Sequence, residues 1–272
     1  MFAKINHVAA CSEKYALLGK FYETIFGMKS SPKLRSGRAI TVGDGYLGFN
    51  INPRKVGRGA GLDHFGMQVE STETAFDRMR SKYPSAHWIE RPSTRPFAAV
   101  TCNDPDGNVF DLSQKDSKNR AHVYVDNENN DKEHDRFVSH IAIRTMRPDE
   151  MAQFYIEVFE LTPQNKGAGD PNHYLSDGHM TLMLMPWDIR NYVEQNVLLP
   201  AIDHIGFTVE SVDKLKGDVD EAVGINPVLN PVPFGRGKEG GNRLELLKKQ
   251  CPIGEHFMSD PDYTLIAVRE RH

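Results

Sequence analysis

Apolar and polar positions alternate in short stretches along the chain, and each such stretch is followed by one in which apolar residues recur at helical spacing. INHVAA and VSHIAI are of the first kind, and KFYETIFGM and QFYIEVFEL are of the second. Alternation is typical of a β-strand, and a spacing of three or four residues is typical of an amphipathic helix. The pattern predicts a mixed α+β protein in which a strand opens each unit and a helix follows it.

The chain contains an internal repeat. INHVAA around His7 matches VSHIAI around His140, and KFYETIFGM matches QFYIEVFEL at the same offset. LDHFGMQVES with His64 matches IDHIGFTVES with His204, and each leads through an amphipathic stretch to a turn, NDPDGNVFDLSQ or SDPDYTLIAVRE. Every unit therefore opens with a strand that carries a histidine. The repeat predicts four βαβββ modules, two in each half of the chain.

A highly polar segment separates the two halves. KDSKNRAHVYVDNENNDKEHDR has the composition of a linker, and it predicts domains at residues 1–125 and 126–272. The last module is longer than its counterpart, mainly through the Gly-, Pro- and Lys-rich stretch NPVPFGRGKEGGNRLELLKK. We predict that this stretch forms a loop that could act as a lid.

Composition excludes several classes of function. The formal net charge of -4, with 39% apolar and 26% charged residues, gives no field that would gather nucleic acid. No stretch approaches the length of a membrane span, so we expect no membrane partner. The three cysteines are widely spaced without a CxxC motif, which indicates neither a disulfide framework nor a thiolate zinc site. The expected location is cytoplasmic.

Four βαβββ units, each with a strand histidine, and a DPDG turn before a last strand, resemble the vicinal oxygen chelate superfamily of glyoxalases, bleomycin resistance proteins and extradiol dioxygenases. The resemblance covers nearly the whole chain. It implies two glyoxalase-like domains, each built from two modules. It also implies a divalent metal ion on the cleft between paired modules, held by histidines of the opening strands and by a carboxylate of the last strand.

The resemblance implies that His7, His64 and Asp111 are the metal ligands in the first half. Two imidazoles and a carboxylate suit Fe(II), which we favour, and also Mn, Zn or Ni. No organic cofactor is implied. The modules of some relatives pair first with fourth and second with third, and His140 would then replace His7.

Asp111 is unusual independently of the family resemblance, because it interrupts the apolar run VFDL. If it points inward, the buried carboxylate needs a partner or a metal ion. The alternative is a half-exposed strand with Asp111 in solvent. In the second half the equivalent positions are His140, His204 and Ala267, so the carboxylate is missing. We expect that half to be degenerate.

Some relatives carry a fourth ligand at the end of the first module's last strand. That position is Phe49 or Asn50 in the first half and Leu182 or Met183 in the second. None of these is a histidine or a carboxylate. The resemblance therefore favours a three-ligand, dioxygenase-like site over the four-ligand glyoxalase site.

The catalytic acid or base is not identified by the sequence. Catechol-cleaving relatives use a tyrosine at the position of Thr101 in the first half and Phe257 in the second, and their acid/base histidine is also missing. Histidines elsewhere that could reach a substrate are His173, His179 and His256.

Three functions remain open at this stage. The first is a metal-dependent oxidoreductase of the dioxygenase type, acting on a small aromatic or vicinal-oxygen substrate. The second is a lyase or isomerase of the glyoxalase type on the same metal ion. The third is a metal-free protein that binds a small molecule, as bleomycin resistance proteins do. The resemblance also makes a homodimer an expectation.

Overall fold

The structure, a computed structural model, describes residues 1–30, 39–91, 98–115, 135–195 and 197–271. The elements of the first half are β1 (Ala3–Ser12), α1 (Tyr15–Phe26), β2 (Lys29–Ser30), β3 (Ile40–Gly43), β4 (Gly48–Pro53), β5 (Gly61–Val69), α2 (Thr72–Lys82), β6 (Trp88–Glu90), β7 (Val100–Asn103) and β8 (Val109–Gln114). None of the helices within the described ranges has both the length and the apolar character that crossing a membrane requires.

The second half repeats this order with two departures, an additional short helix between its fourth and fifth strands and a different segment near its end. Its elements are β9 (Phe137–Thr145), α3 (Pro148–Phe159), β10 (Thr162–Pro163), β11 (His173–Ser176), β12 (Thr181–Pro186), α4 (Ile189–Gln195), β13 (Ile202–Val209), α5 (Val212–Ile225), a 3-10 turn (Pro227–Leu229), α6 (Gly237–Gln250), β14 (His256–Ser259) and β15 (Leu265–Glu270). The turn and α6 follow α5 where β6 follows α2 in the first half.

The strands form two mixed sheets. The eight-stranded sheet has the order β2-β3-β4-β1-β5-β8-β7-β6, and the seven-stranded sheet has the order β10-β11-β12-β9-β13-β15-β14. The opening strands of neighbouring modules pair antiparallel at the centre of each sheet, β1 with β5 and β9 with β13. The α+β class with paired modules is thus confirmed. Within each sheet the first module pairs with the second and the third with the fourth, so His7 and His140 lie in different sheets.

The predicted domain boundary near residue 125 lies outside the described residues and stays a prediction. The prediction of a loop for NPVPFGRGKEGGNRLELLKK is wrong, because Gly237–Gln250 forms a helix. Gly240 and Gly241 lower its intrinsic helix propensity, but Leu247 is fully buried and Leu244 packs beside it. Docking of this apolar stripe onto the second sheet outweighs the local glycine preference.

One apolar core lies between the helix-covered faces of the two sheets, and both halves contribute to it. Helix α1 packs against α5 of the fourth module, and α2 packs against α3 of the third. The rings of Phe26 and Phe207 stack with centroids 3.9 Å apart, and those of Phe110 and Phe159 meet edge to face at 5.5 Å. Strand pairing therefore joins modules within a half, while helix packing joins the halves.

The aspartates that begin the two DPD turns also join the halves. Asp104 accepts hydrogen bonds from the backbone N–H groups of its own turn and from the Tyr155 hydroxyl of α3, at 2.8 Å. Asp260 does the same in the fourth module and accepts from the Tyr22 hydroxyl of α1 at 3.0 Å. Both carboxyls are fully buried, so these partners are needed to offset their desolvation.

A second pair of aspartates, in the turns after β3 and β11, connects each half to the opening strand of the other. Asp44 accepts from the backbone N–H of Val138 on β9, at 2.8 Å. Asp177, at the equivalent position of the third module, accepts from the backbone N–H of Ile5 on β1, at 2.7 Å. Four buried aspartates thus connect the modules reciprocally.

We expect the replacement Tyr155→Phe to lower the free energy of unfolding by about 1–3 kcal/mol, because it removes a donor from a buried carboxyl without leaving a cavity. Tyr22→Phe should have a similar effect through Asp260. Tyr263→Phe is the matched control, since Tyr263 is exposed. Thermal and denaturant unfolding would measure these effects, and equal stability of all three variants would contradict the assigned role of the two turns.

Candidate metal centre

Strand pairing brings the three predicted ligands onto one face of the first sheet. His7 on β1 lies opposite Gly66 on β5, and Gly66 lies opposite Asp111 on β8. His64 precedes Gly66 by two residues on the same strand and therefore shares its face. This face is turned away from the helices, which pack on the opposite side against residues such as Phe65.

The polar ends of these side chains converge. The Nε2 atom of His64 is 3.3 Å from Oδ2 of Asp111, and the Nε2 atom of His7 is 3.9 Å from the same oxygen. One ligand atom from each residue lies within 4.8 Å of the other two. His7 is fully buried and Asp111 is 8% exposed, whereas the side chain of His64 is 19% exposed. The cluster is therefore buried on one side and open to solvent on the other.

A β-bulge before each histidine orients its ring. The register of β1 against β5 shifts at Asn6 and again at Asp63. Each bulged residue turns its side chain back, so that Asn6 Oδ1 lies 2.8 Å from His7 Nδ1 and Asp63 Oδ2 lies 2.6 Å from His64 Nδ1. Because these oxygens accept hydrogen bonds, Nδ1 is the donor and Nε2 is left to face Asp111.

Asp111 is held in a similar way. The hydroxyl of Thr101, directly opposite on β7, donates to Oδ1 of Asp111 at 2.6 Å. The second oxygen, Oδ2, is the one that faces both histidines. Thr101 stands at the tyrosine position of catechol-cleaving relatives, and here it orients the carboxylate.

Without an ion, the cluster holds a proton. Burial alone would lower the pKa of His64, but the hydrogen bonds and charges of Asp111 and Asp63 outweigh it and raise that pKa to about 9. Burial alone would raise the pKa of Asp111, but His64, His7 and Thr101 lower it to about 2. His64 and Asp111 therefore form a buried ion pair, and a metal ion would displace its proton.

The donor set fits a divalent metal ion. Two imidazole nitrogens and one carboxylate oxygen converge, and each has its other polar atom fixed by a neighbouring side chain, which is the arrangement of ligands around many protein-bound ions. Ser113, two residues after Asp111 on the same strand, adds a buried hydroxyl with no hydrogen-bond partner among the described residues. Such a hydroxyl remains available to a bound molecule.

The fourth-ligand position is occupied by an amide. Asn50 on β4 and His64 on β5 lie on either side of Ala9, on the same face. The hydroxyl of Thr41 donates to Asn50 Oδ1 at 2.7 Å.

The three histidines that the sequence offers as a catalytic acid or base lie away from the first cluster. His173 bonds Asp149 at the surface, and the His179 ring stacks on Tyr46 at a centroid distance of 4.0 Å. His256 lies on β14, in the second sheet. None of them joins the cluster of the first sheet.

The equivalent face of the second sheet has another composition. His140 and His204 meet with their Nε2 atoms 3.2 Å apart, but the position of the carboxylate is Ala267, as the register of β13 with β15 requires. Cys251, directly after α6, lies beside them instead, with Sγ 3.5 Å from His204 Nε2. Burial raises the pKa of this thiol to about 12. Sequence comparison of the two halves missed Cys251, because no residue of the first half corresponds to it.

Comparison with known proteins identifies a related sequence family and similar folds. Residues 4–112, which include all three residues of the first cluster, match the family model described as the Glyoxalase/Bleomycin resistance protein/Dioxygenase superfamily. No curated protein sequence matches the chain. The Mn(II)-bound glyoxalase from Novosphingobium aromaticivorans superimposes with a TM-score of 0.62 at 13% identity, over 99% of this chain and 82% of that one. Residues 4–112 therefore resemble this family in sequence, and the chain as a whole has the vicinal oxygen chelate fold.

Two further vicinal oxygen chelate structures are similar. The 2,3-dioxygenase LapB from Pseudomonas sp. KL28 has a TM-score of 0.61 at 12% identity, over 98% of this chain and 92% of that one. A xylose isomerase-like TIM barrel/4-hydroxyphenylpyruvate dioxygenase fusion protein has a TM-score of 0.57 at 16% identity, over 82% of this chain, which spans only 39% of that protein. At these identities the likeness shows the vicinal oxygen chelate fold.

We expect the stability of the metal-free protein to depend on pH through His64. Because its pKa is raised from 6.5 to about 9, the ion pair stabilises the fold fully below pH 6.5 and ceases to do so as the pH rises through about 9. In the presence of a chelator, the melting temperature of the unsubstituted protein should exceed that of the His64→Gln variant by several degrees near pH 6.5. This difference should shrink as the pH approaches about 9. His87→Gln, an exposed position, is the control. A difference that stays constant with pH would contradict the ion pair.

Gly66 is expected to be essential for the position of His7. A Cβ atom built on Gly66 would overlap the His7 ring, so Gly66→Ala must displace that ligand. Affinity for Mn(II) should fall on the order of 10- to 100-fold, as for other changes that misplace a ligand. Calorimetric titration would measure it. Gly206→Ala creates the same overlap with His140 in the second sheet and should leave Mn(II) binding by the first sheet intact. Equal effects of the two variants would argue against a site at His7.

Proposed function

We propose that the chain is a metal-dependent oxidoreductase of the extradiol-dioxygenase type, which holds Fe(II) on His7, His64 and Asp111 and acts on a small aromatic or vicinal-oxygen molecule. The observation that carries the proposal is the convergence of three ligand atoms on a face that stays open beside His64. With three protein ligands, an ion would keep positions for two adjacent substrate oxygens and would act on them as a Lewis acid.

The surroundings of the three residues support a small, oxygen-rich ligand. Five polar, uncharged side chains share the face and are buried or nearly so: Thr41, Asn50, Gln68, Thr101 and Ser113. Hydroxyl and amide groups orient a ligand through hydrogen bonds without adding charge. The equivalent face of the second sheet carries larger apolar side chains, among them Tyr174, Met183 and Phe257, and has Ala267 in place of the carboxylate. The first half is therefore the better candidate for catalysis.

A dioxygenase-type reaction is favoured over a glyoxalase-type reaction by the residue at the fourth position. Asn50 offers an amide oxygen that already accepts from Thr41, and an amide does not serve as a general base. The second candidate is a lyase or isomerase on the same ion, because Asn50 lies on the same face as His64 and could move onto the ion. Consumption of O₂ separates the two reactions.

The test is to prepare the full chain without metal, load it anaerobically with Fe(II), and measure O₂ uptake with a panel of catechols. We expect one ion bound by the first half and O₂ uptake that His64→Ala reduces by roughly a thousandfold or more, since removal of a ligand disables the ion. His173→Ala, remote from the cluster, should retain full activity.

The proposal fails if the loaded protein holds no ion at this position and His64→Ala leaves the activity unchanged. Turnover of a substrate without O₂ uptake would favour the lyase or isomerase. Thermal stabilisation by a catechol that a chelator does not alter would indicate metal-free binding instead.

A further inference from the structure

The second sheet carries its own cluster of metal-ligating side chains. His140, His204 and Cys251 are each at most 1% exposed, and one ligand atom from each lies within 4.8 Å of the others. The two Nε2 atoms are 3.2 Å apart, and the Cys251 sulfur is 3.5 Å from the Nε2 atom of His204. Ligands on a tetrahedral zinc ion would be roughly 3.4 Å apart for two nitrogens and roughly 3.6 Å for nitrogen and sulfur. The observed spacing matches that geometry.

Both rings are oriented toward the shared point, again by β-bulges. Asp203 accepts from His204 Nδ1 at 2.7 Å, and the Ser139 hydroxyl lies 3.1 Å from His140 Nδ1. Asp203 is balanced by two arginines, Arg144 and Arg243. The Nε2 atom of His204 therefore presents a lone pair to His140 and to the thiol. At 3.2 Å, either a proton or a cation must lie between the two Nε2 atoms.

Cys251 is held in place by the end of α6. The preceding residue, Gln250, accepts from the buried Arg144 guanidinium at 2.9 Å through its side chain and from the Asn172 amide at 2.8 Å through its backbone carbonyl. Cys251 and Ala267 belong to the same apolar cluster. A sulfur ligand thus stands on the face where the first sheet has Asp111.

The surroundings suit a soft cation. Beside Cys251 lie apolar and sulfur-containing side chains, and Met183 is separated from His204 only by Ala142 along the strand register. A cavity of about 360 Å³ reaches His140 and leaves room for a water molecule as a further ligand; besides Pro252 and Ile253, most of its lining residues are polar or charged. Thiolate and thioether ligands select closed-shell, thiophilic ions over Fe(II) or Mn(II).

We propose that His140, His204 and Cys251 bind a thiophilic cation, Zn²⁺ or Cu⁺, which fastens α6 to the second sheet. Its three side chains are fully or almost fully buried, in contrast to His64 of the first cluster, and Cys251 directly follows α6, so we assign the ion a role in stabilising the fold. It is independent of the proposed catalytic function, because the two clusters lie in different sheets and share no residue.

The test uses the full chain with His64→Ala, which lacks a complete first cluster. Metal-free protein is titrated under reducing conditions with Zn²⁺ in one arm and with Cu⁺ in the other. We expect one ion to bind and to raise the melting temperature, and the arm with the higher affinity identifies the ion. Adding Cys251→Ser should weaken binding on the order of 100-fold and abolish the stabilisation. Adding Cys102→Ser, a buried thiol of the first sheet, should change neither.

Co²⁺ provides a readout that needs no substitution of Cys251. Bound to the His64→Ala chain, it should show a thiolate-to-cobalt charge-transfer band and the visible spectrum of a tetrahedral ion. The proposal is overturned if that band is absent, or if the His64→Ala chain binds neither Zn²⁺ nor Cu⁺ more tightly than the double variant with Cys251→Ser. Either result would leave the catalytic proposal for the first cluster untouched.

Discussion

The β-bulge before each strand histidine is the constraint on which both clusters depend. In a regular strand the residue before a histidine points to the opposite face and cannot reach the ring. Here Asn6, Asp63, Ser139 and Asp203 are all bulged, and each places a polar atom on Nδ1 of the histidine that follows. All four imidazoles therefore direct Nε2 away from the strand that carries them. The histidine rings have the same orientation in both sheets. The sheets differ in the third residue beside the Nε2 atoms, which is Asp111 in the first sheet and Cys251 in the second.

Much of the fold follows from local sequence patterns. Matching strands, helices and DPD turns predicted four modules, and the resemblance to the vicinal oxygen chelate superfamily implied the three ligands of the first half. The bulges were not predicted, although a polar residue precedes each of the four histidines in the sequence. Bulges arise from the register between β1 and β5, or β9 and β13, and that register is a property of two distant segments rather than of one.

The second cluster shows a different limit of sequence reasoning. The sequence predicted that Ala267 stands in the second half where Asp111 stands in the first, so that the carboxylate ligand is missing there. The strand register agrees, because Ala267 lies opposite Gly206. Cys251 could not be recognised, because it lies after a helix that has no counterpart in the first half and that begins in a glycine-rich stretch. Its neighbours in space, His140 and Arg144, are more than a hundred residues away in sequence, and only the docking of α6 brings them together.

Because α1 and α3 each pack into the core of the opposite half, neither half of the chain can be removed without opening that core. Without the third module, Phe110 would lose its ring contact with Phe159, and Asp104 would lose the hydrogen bond from Tyr155. Without the fourth module, Phe26 would lose its ring contact with Phe207. The helix-covered face of the second sheet must therefore keep its shape, whereas its helix-free face, which carries Ala267, takes no part in this packing. A substitution in one of the two clefts can thus alter its chemistry without disturbing the core that both halves build.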